Sequence, residues 1–123
     1  MRVLISGASV AGPVLAYWLA RAGIEPVVVE RTPAPRFGLG GHAVDLFAPA
    51  MDVIARMGLD ERVRAAGTGT TTLRYERAGK PPTDVDLRTI SADVAAGNHV
   101  EIMRGTLAQI LHEAVADDVD HVF

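Results

Sequence analysis

The spacing of apolar and polar positions changes several times along the chain, and each change marks an element. Arg2–Ser6 holds a short apolar run at positions 3–5, the pattern of a strand buried in a parallel sheet. A glycine-rich turn follows at residues 7–12. Residues 10–22 are then apolar nearly all round, which predicts a buried helix. Pro13 falls in its first turn, where a missing N–H costs little, while Arg21 and Gly23 supply a C-terminal cation and stop. Residues 26–30 return to a β-branched run. Strand, helix and strand within about thirty residues predict a right-handed βαβ crossover.

Past this unit the pattern is less regular. Residues 31–41 read as a loop holding Pro33, Pro35, Gly38, Gly40 and Gly41, and residues 42–47 as a short strand. Residues 49–57 place Ala50, Val53, Ile54 and Met57 on one helical face, ended by Gly58. Residues 60–66 predict a second short helix with Asp60 as N-cap and Gly67 as stop. Residues 70–77 and 84–88 flank a Gly-Lys-Pro-Pro turn and predict an inserted β-hairpin. Val100–Met103 reads as a strand. Residues 106–115 read as a helix facing Leu107, Ile110, Leu111 and Ala114 inward, with Thr106 and Gln109 at capping-box spacing. Residues 119–123 begin a last strand. Because unpaired strand edges are normally covered, a longer protein is expected around these residues.

Composition narrows the class. The 123 residues are 49% hydrophobic but only 5% aromatic, so a core of small aliphatic side chains is expected, suited to close helix-on-sheet packing. The net charge is −3 with no basic run, which argues against a nucleic-acid partner. Without cysteine there are no disulfides, thiolate metal sites or Cys nucleophiles. The apolar stretches are too short for a signal peptide or a bilayer span, so a cytoplasmic chain without a membrane partner is expected. His42, His99, His112 and His121 lack metal-ligand spacing and are expected on surfaces or loops; no metal site is predicted. Residues 117–121 read as a solvated turn rather than a calcium loop. Ser6, Ser9 and Ser91 lack a hydrolase elbow.

The candidate chemistry sits in Gly7-Ala8-Ser9-Val10-Ala11-Gly12. This is the six-residue frame of the dinucleotide fingerprint, with Ser9 where a second glycine is usual. Gly7 would allow the tight turn out of the strand and Gly12 the close approach of helix to strand. The helix N-terminus would offer N–H groups and a positive dipole end to a pyrophosphate. Glu30, closing the second strand, would accept hydrogen bonds from ribose hydroxyls and repel a 2′-phosphate, favouring FAD or NAD over NADP. The fold class expected is α/β: the N-terminal portion of a Rossmann-type domain binding FAD or NAD(P).

The segment VLISGASVAGPVLAYWLARAGIEPVVVER, from Val3 to Arg31, resembles the opening of the flavoprotein aromatic hydroxylases, FAD-dependent monooxygenases. RFGLGGHAVDLFAPAMDVIARMGL, from Arg36 to Leu59, is similar to that family's loop-plus-helix segment, most of all in its tetracycline-modifying subgroup. IMRGTLAQIL, from Ile102 to Leu111, resembles its Arg-x-x-Leu-x-x-x-Leu element. The resemblance implies an FAD cofactor, NAD(P)H as co-substrate, O2, and an aromatic or polyketide-like small molecule as substrate. It implies that Gly7, Ser9, Val10, Ala11 and Gly12 meet the ADP phosphates, that Glu30 meets the ribose, and that Arg31 lies beside the adenosine. Arg36 would lie near the flavin or nicotinamide, Asp45 against the flavin, and Arg104 on the FAD chain. No catalytic residue is implied. The family's two later Gly-Asp motifs and its substrate-binding sheet do not occur in these residues, so residues 1–123 are expected to be a partial FAD-binding domain.

Two other functions stay open on the residues alone. One is a truncated, non-catalytic nucleotide-binding module. The other is an NAD-dependent oxidoreductase, although a plain NAD domain would continue past residue 30 with a helix and a parallel strand, and the hairpin at residues 70–88 breaks that alternation.

Overall fold

The computed structural model describes residues 1–35, 37–38 and 41–123, arranged in two compact units. The first comprises Met1–Ala43 and Met103–Phe123, the second Val44–Ile102.

In the first unit, β1 (Arg2–Ser6) leads through α1 (Ala11–Arg21) to β2 (Glu25–Val29). The two strands pair in parallel, with Arg2 opposite Glu25 and Ser6 opposite Val29. This is the predicted βαβ crossover. Arg21, in the last turn of α1, also lays its guanidinium over the Tyr17 ring, 3.8 Å from the centroid, a cation–π contact that accompanies its favourable place at the dipole's negative end.

The second unit opens with β3 (Ala43–Leu46), whose first residue belongs to the first unit. It continues with α2 (Ala48–Arg56), α3 (Asp60–Ala65), β4 (Thr72–Tyr75), β5 (Thr83–Asp86), α4 (Ala92–Ala95) and β6 (Val100–Met103). β3 and β6 form a two-stranded sheet. β4 and β5 form the predicted antiparallel hairpin, from Thr72 opposite Asp86 to Tyr75 opposite Thr83. All four residues of β4 are exposed, so the hairpin contributes little core. The apolar centre of this unit is Leu46, Met51, Ile54, Met57, Val63, Val100 and Ile102.

The chain then returns to the first unit through α5 (Arg104–Glu113) and β7 (Asp120–Val122). β7 pairs in parallel with the free edge of β2, Val27 opposite Asp120 and Val29 opposite Val122, giving the strand order β1-β2-β7. Val28, Leu107, Leu111 and Val115 are fully buried here with Ile5, Ala16 and Tyr17 beside them. Each large aliphatic group in such a position stabilises the fold by about 1.5–3 kcal/mol.

Several local expectations need correction. β1 is not buried throughout: Ile5 is, but Leu4 is 70% exposed. α3 begins at Asp60 with Leu59 as N-cap, so Asp60 does not cap; its carboxylate accepts from the Arg64 Nε one turn later at 3.0 Å. α5 begins at Arg104, two residues before the predicted start. Its N-cap is Met103, with no side-chain cap, and the Gln109 amide bonds Glu113 instead of closing a capping box with Thr106. The helix can start this early because Gly105 leaves room for the Phe37 carbonyl, which a Cβ at that position would strike. α4 was not predicted. It is a single turn, capped by Ser91 Oγ accepting from Val94 N–H at 3.4 Å, and too short to leave a periodic signal. Among the described residues no helix is long and apolar enough to cross a membrane.

Candidate nucleotide-binding site

The turn between β1 and α1 is shaped by two glycines for different reasons. Gly7 has φ +107°, a conformation that L side chains rarely adopt, and its N–H donates to Val29 O at 2.7 Å. Nothing surrounds the place where its Cβ would stand. Gly12 is buried in the first turn of α1, and a Cβ there would collide with the Gly7 carbonyl oxygen. The missing side chain is what lets helix and strand close to this distance. Val10 is the N-cap and Ala11 the first helical residue; no side chain caps the helix and Pro13 carries no N–H. The positive end of the α1 dipole and its first-turn N–H groups are thus the donors available to an anion.

Ser9 stands where a glycine would bring backbone alone. Its hydroxyl oxygen accepts from Arg104 Nη2 at 3.2 Å. Arg104 is exposed, opens α5, and donates its backbone N–H to His42 O at 3.1 Å. A permanent cation with several donors therefore lies at the mouth of the turn, tied to the one residue that departs from the fingerprint.

Glu30, just past β2, completes the site. Its Oε2 accepts the Ala8 N–H at 3.0 Å, and its Oε1 accepts both the N–H and the hydroxyl of Thr32, at 3.1 and 3.3 Å. The Ala8 bond, then that of the Thr32 backbone, holds the carboxyl ionised, lowering its pKa to about 2. A carboxylate has about four lone-pair sites; these three bonds and one from the Arg31 backbone use them, so a ribose hydroxyl would share a site with one of these donors or displace it. Arg31 follows directly and is exposed. Arg36 lies outside the described residues. Ala8 and Thr32 were not singled out from the sequence; their role is backbone donation, which carries no residue signature.

Asp45 belongs to the second unit, on β3, with a half-exposed side chain. Its Oδ1 is 2.6 Å from His99 Nε2, and the His99 ring packs 5.2 Å from that of Phe47. His99 lies in the loop before β6, as expected, though its side chain is only 10% exposed. His112 and His121 are not the surface or loop residues expected: they lie in α5 and β7 and are half-buried. Their rings meet edge-to-face at 4.4 Å, and His112 Nδ1 and His121 Nε2 are buried without a hydrogen-bond partner. His42 alone is exposed as expected. No cluster of three metal-ligating side chains exists among the described residues.

Comparison with known proteins decides between the nucleotide families. The model of a family described as an FAD-binding domain matches residues 1–117. The chain belongs to that family. It is 37% identical over 117 residues to a flavin-dependent monooxygenase from an unknown prokaryotic organism, covering 94% of this chain and 29% of that protein. It is 36% identical over 118 residues to monooxygenase CTB7 of Cercospora beticola, covering 92% and 27%. Among solved structures it superposes on tetracycline destructase Tet(55) with a TM-score of 0.78 and 34% identity, covering 97% of this chain and 28% of that one. It shares its fold with CtdE, solved in complex with FAD, at TM-score 0.75 and 22% identity, covering all of this chain and 30% of that one. The chain thus spans less than a third of the length of these relatives. The residues present fit FAD: an ionised acid can accept from a ribose, and helix N–H groups with a guanidinium can donate to a pyrophosphate.

Proposed function

We propose that the whole protein carrying this chain is an FAD-dependent monooxygenase of the cytoplasm. It would use NAD(P)H and O2 on an aromatic or polyketide-like small molecule, with neither nucleic acid nor membrane as partner. The chain would supply the part of the site that grips the ADP half of FAD. The single observation that carries this reading is the Arg104–Ser9 hydrogen bond at the uncapped start of α1. It supports a site for a pyrophosphate bridge, two adjacent charges met by a fixed cation and a helix dipole.

The roles proposed for the residues are these. Gly7 and Gly12 bring the backbone of the turn close, and the first-turn N–H groups about Val10 and Ala11 face the phosphates. Ser9 holds the Arg104 guanidinium and offers its own hydroxyl. Glu30 accepts from the ribose, with Arg31 beside the adenosine. Asp45 and Arg36 take the flavin end. FAD, when bound, supplies the redox chemistry; these residues bind and orient it. Of the relatives named above, one is a flavin-dependent monooxygenase, one a monooxygenase and one a tetracycline destructase, which supports the reaction class and a polyketide-like substrate.

The test is FAD affinity in the whole protein, followed by flavin fluorescence. Arg104→Ala should weaken binding about ten- to a hundredfold, and Arg104→Lys should recover part of it through charge alone. Unchanged affinity in Arg104→Ala would overturn the reading.

A further inference from the structure

We propose that His99 is a positioning residue for Asp45, fixing the direction in which that carboxylate faces the flavin. The inference rests on the reading of Asp45 just given. What carries it is an asymmetry within the pair. His99 Nε2 lies 2.6 Å from Asp45 Oδ1, yet the histidine side chain is 10% exposed and the aspartate 55%. A carboxylate offers only lone pairs, so the imidazole nitrogen is the donor. The donor is therefore set in the fold, and the acceptor stands in the open.

Two elements hold the imidazole in place. Phe47, the N-cap of α2, packs against the ring at 5.2 Å with a 39° tilt. His99 itself directly precedes β6, whose Val100 is buried and whose Ile102 bridges Gly67. His99 also lines a cleft with Arg64, Arg88 and Glu101. Asp45 in turn sits on β3, the sheet partner of β6. An exposed Asp on a four-residue strand has several rotamers open to it; a short bond from an immobile donor selects one. An acid meant to meet one atom of a cofactor must be selected in this way before the cofactor arrives, because ordering it on binding would cost affinity.

The experiment titrates FAD into the whole protein and reads flavin fluorescence, with circular-dichroism melts as a check on folding. Asp45→Asn and His99→Phe are each expected to weaken FAD about tenfold, the loss of one charge-assisted hydrogen bond. His99→Gln places an amide nitrogen near the Nε2 position and should bind within about twofold of the unaltered protein. His99→Asn keeps polarity but falls short of Asp45, and should resemble His99→Phe. Asn and Gln together decide the matter even if His99→Phe fails to fold. The double variant Asp45→Asn with His99→Phe should be no weaker than Asp45→Asn alone, since the histidine acts through the acid. If Asp45→Asn weakens FAD while the Phe and Asn variants at 99 do not, His99 has no positioning role and the reading of Asp45 survives. Additive losses in the double variant would overturn the inference in the same way. If Asp45→Asn leaves FAD affinity unchanged, the flavin role of Asp45 fails and the inference falls with it.

Discussion

Glu30 Oε2 accepts the Ala8 N–H at 3.0 Å, so the acid proposed to meet the ribose is already fastened to the turn proposed to meet the phosphates. Glu30→Gln keeps an acceptor oxygen but loses the charge. By calorimetry the unaltered protein should prefer adenosine diphosphate to its 2′-phosphorylated analogue, and Glu30→Gln should narrow that preference. The same residue predicts an acid limb. Its folded pKa of about 2 lies below the ordinary 4.5, so its contribution to stability is complete above pH 4.5 and fades as pH falls from there toward 2. Glu30→Gln should flatten the melting temperature across that window. A variant with unaltered acid limb and unaltered preference would remove Glu30 from the site.

Gly7 and Gly12 should respond differently to a methyl group. At Gly12 the new Cβ strikes the Gly7 carbonyl, and the backbone must move, an overpacking cost of about 1–3 kcal/mol or more. Purified Gly12→Ala, in the whole protein, should come out without the yellow of bound flavin. Gly7→Ala meets open space and bears only its positive φ, about 1–3 kcal/mol. It should melt somewhat lower and keep flavin. Full flavin content in Gly12→Ala would show that the close approach is unnecessary.

His112 makes stability depend on pH nearer neutrality. Burial pushes the His112 pKa below its usual 6.5, the neighbouring His121 adds to this, and Glu113 partly opposes it. The unfolded chain therefore takes up a proton that the folded chain resists. The stabilisation is complete above pH 6.5 and is lost progressively as pH falls below it. His112→Phe suits a pocket already shared with Phe37 and Phe123, and should flatten the dependence of melting temperature between pH 7.5 and pH 5. An equally steep dependence in that variant would place its origin elsewhere.

The hairpin offers a negative control. Arg74 and Asp84 meet at 2.7 Å, but their side chains are 59% and 48% exposed, where solvent screens the pair. Asp84→Asn should leave the midpoint of a denaturant titration unchanged. A lowered midpoint would mean that the hairpin packs against something beyond the described residues.

The parts legible in the sequence were those governed by near neighbours. The crossover from Arg2 to Val29 follows from local periodicity and from glycines at fixed offsets, and so does the placing of Glu30. Capping was misread at Asp60 and Thr106 because a good cap residue at the right spacing does not fix where a helix starts. At Arg104 the strand feeds straight into the helix, and continuity of the chain overrides the capping box. The bond between Ser9 and Arg104 joins positions 95 apart, and His99 meets Asp45 across 54. No local pattern carries such pairings. His99 has the same neighbours in sequence as a loop histidine and becomes buried only once β3 and β6 lie side by side.

The contact between Gly105 and the Phe37 carbonyl makes the first turn of α5 a ruler for the segment that leaves Glu30. A gap one methyl deep receives a single peptide group, and only a chain of the right length delivers that group there. Substitutions between the acid and the gap change chemistry while preserving the measure. An added or deleted residue changes the measure itself, and presents a different carbonyl to Gly105. The next tie to α5 comes at the His42 carbonyl, which accepts the Arg104 N–H at 3.1 Å. The stretch from Glu30 to Phe37 is thus free to change its side chains and bound to keep its length.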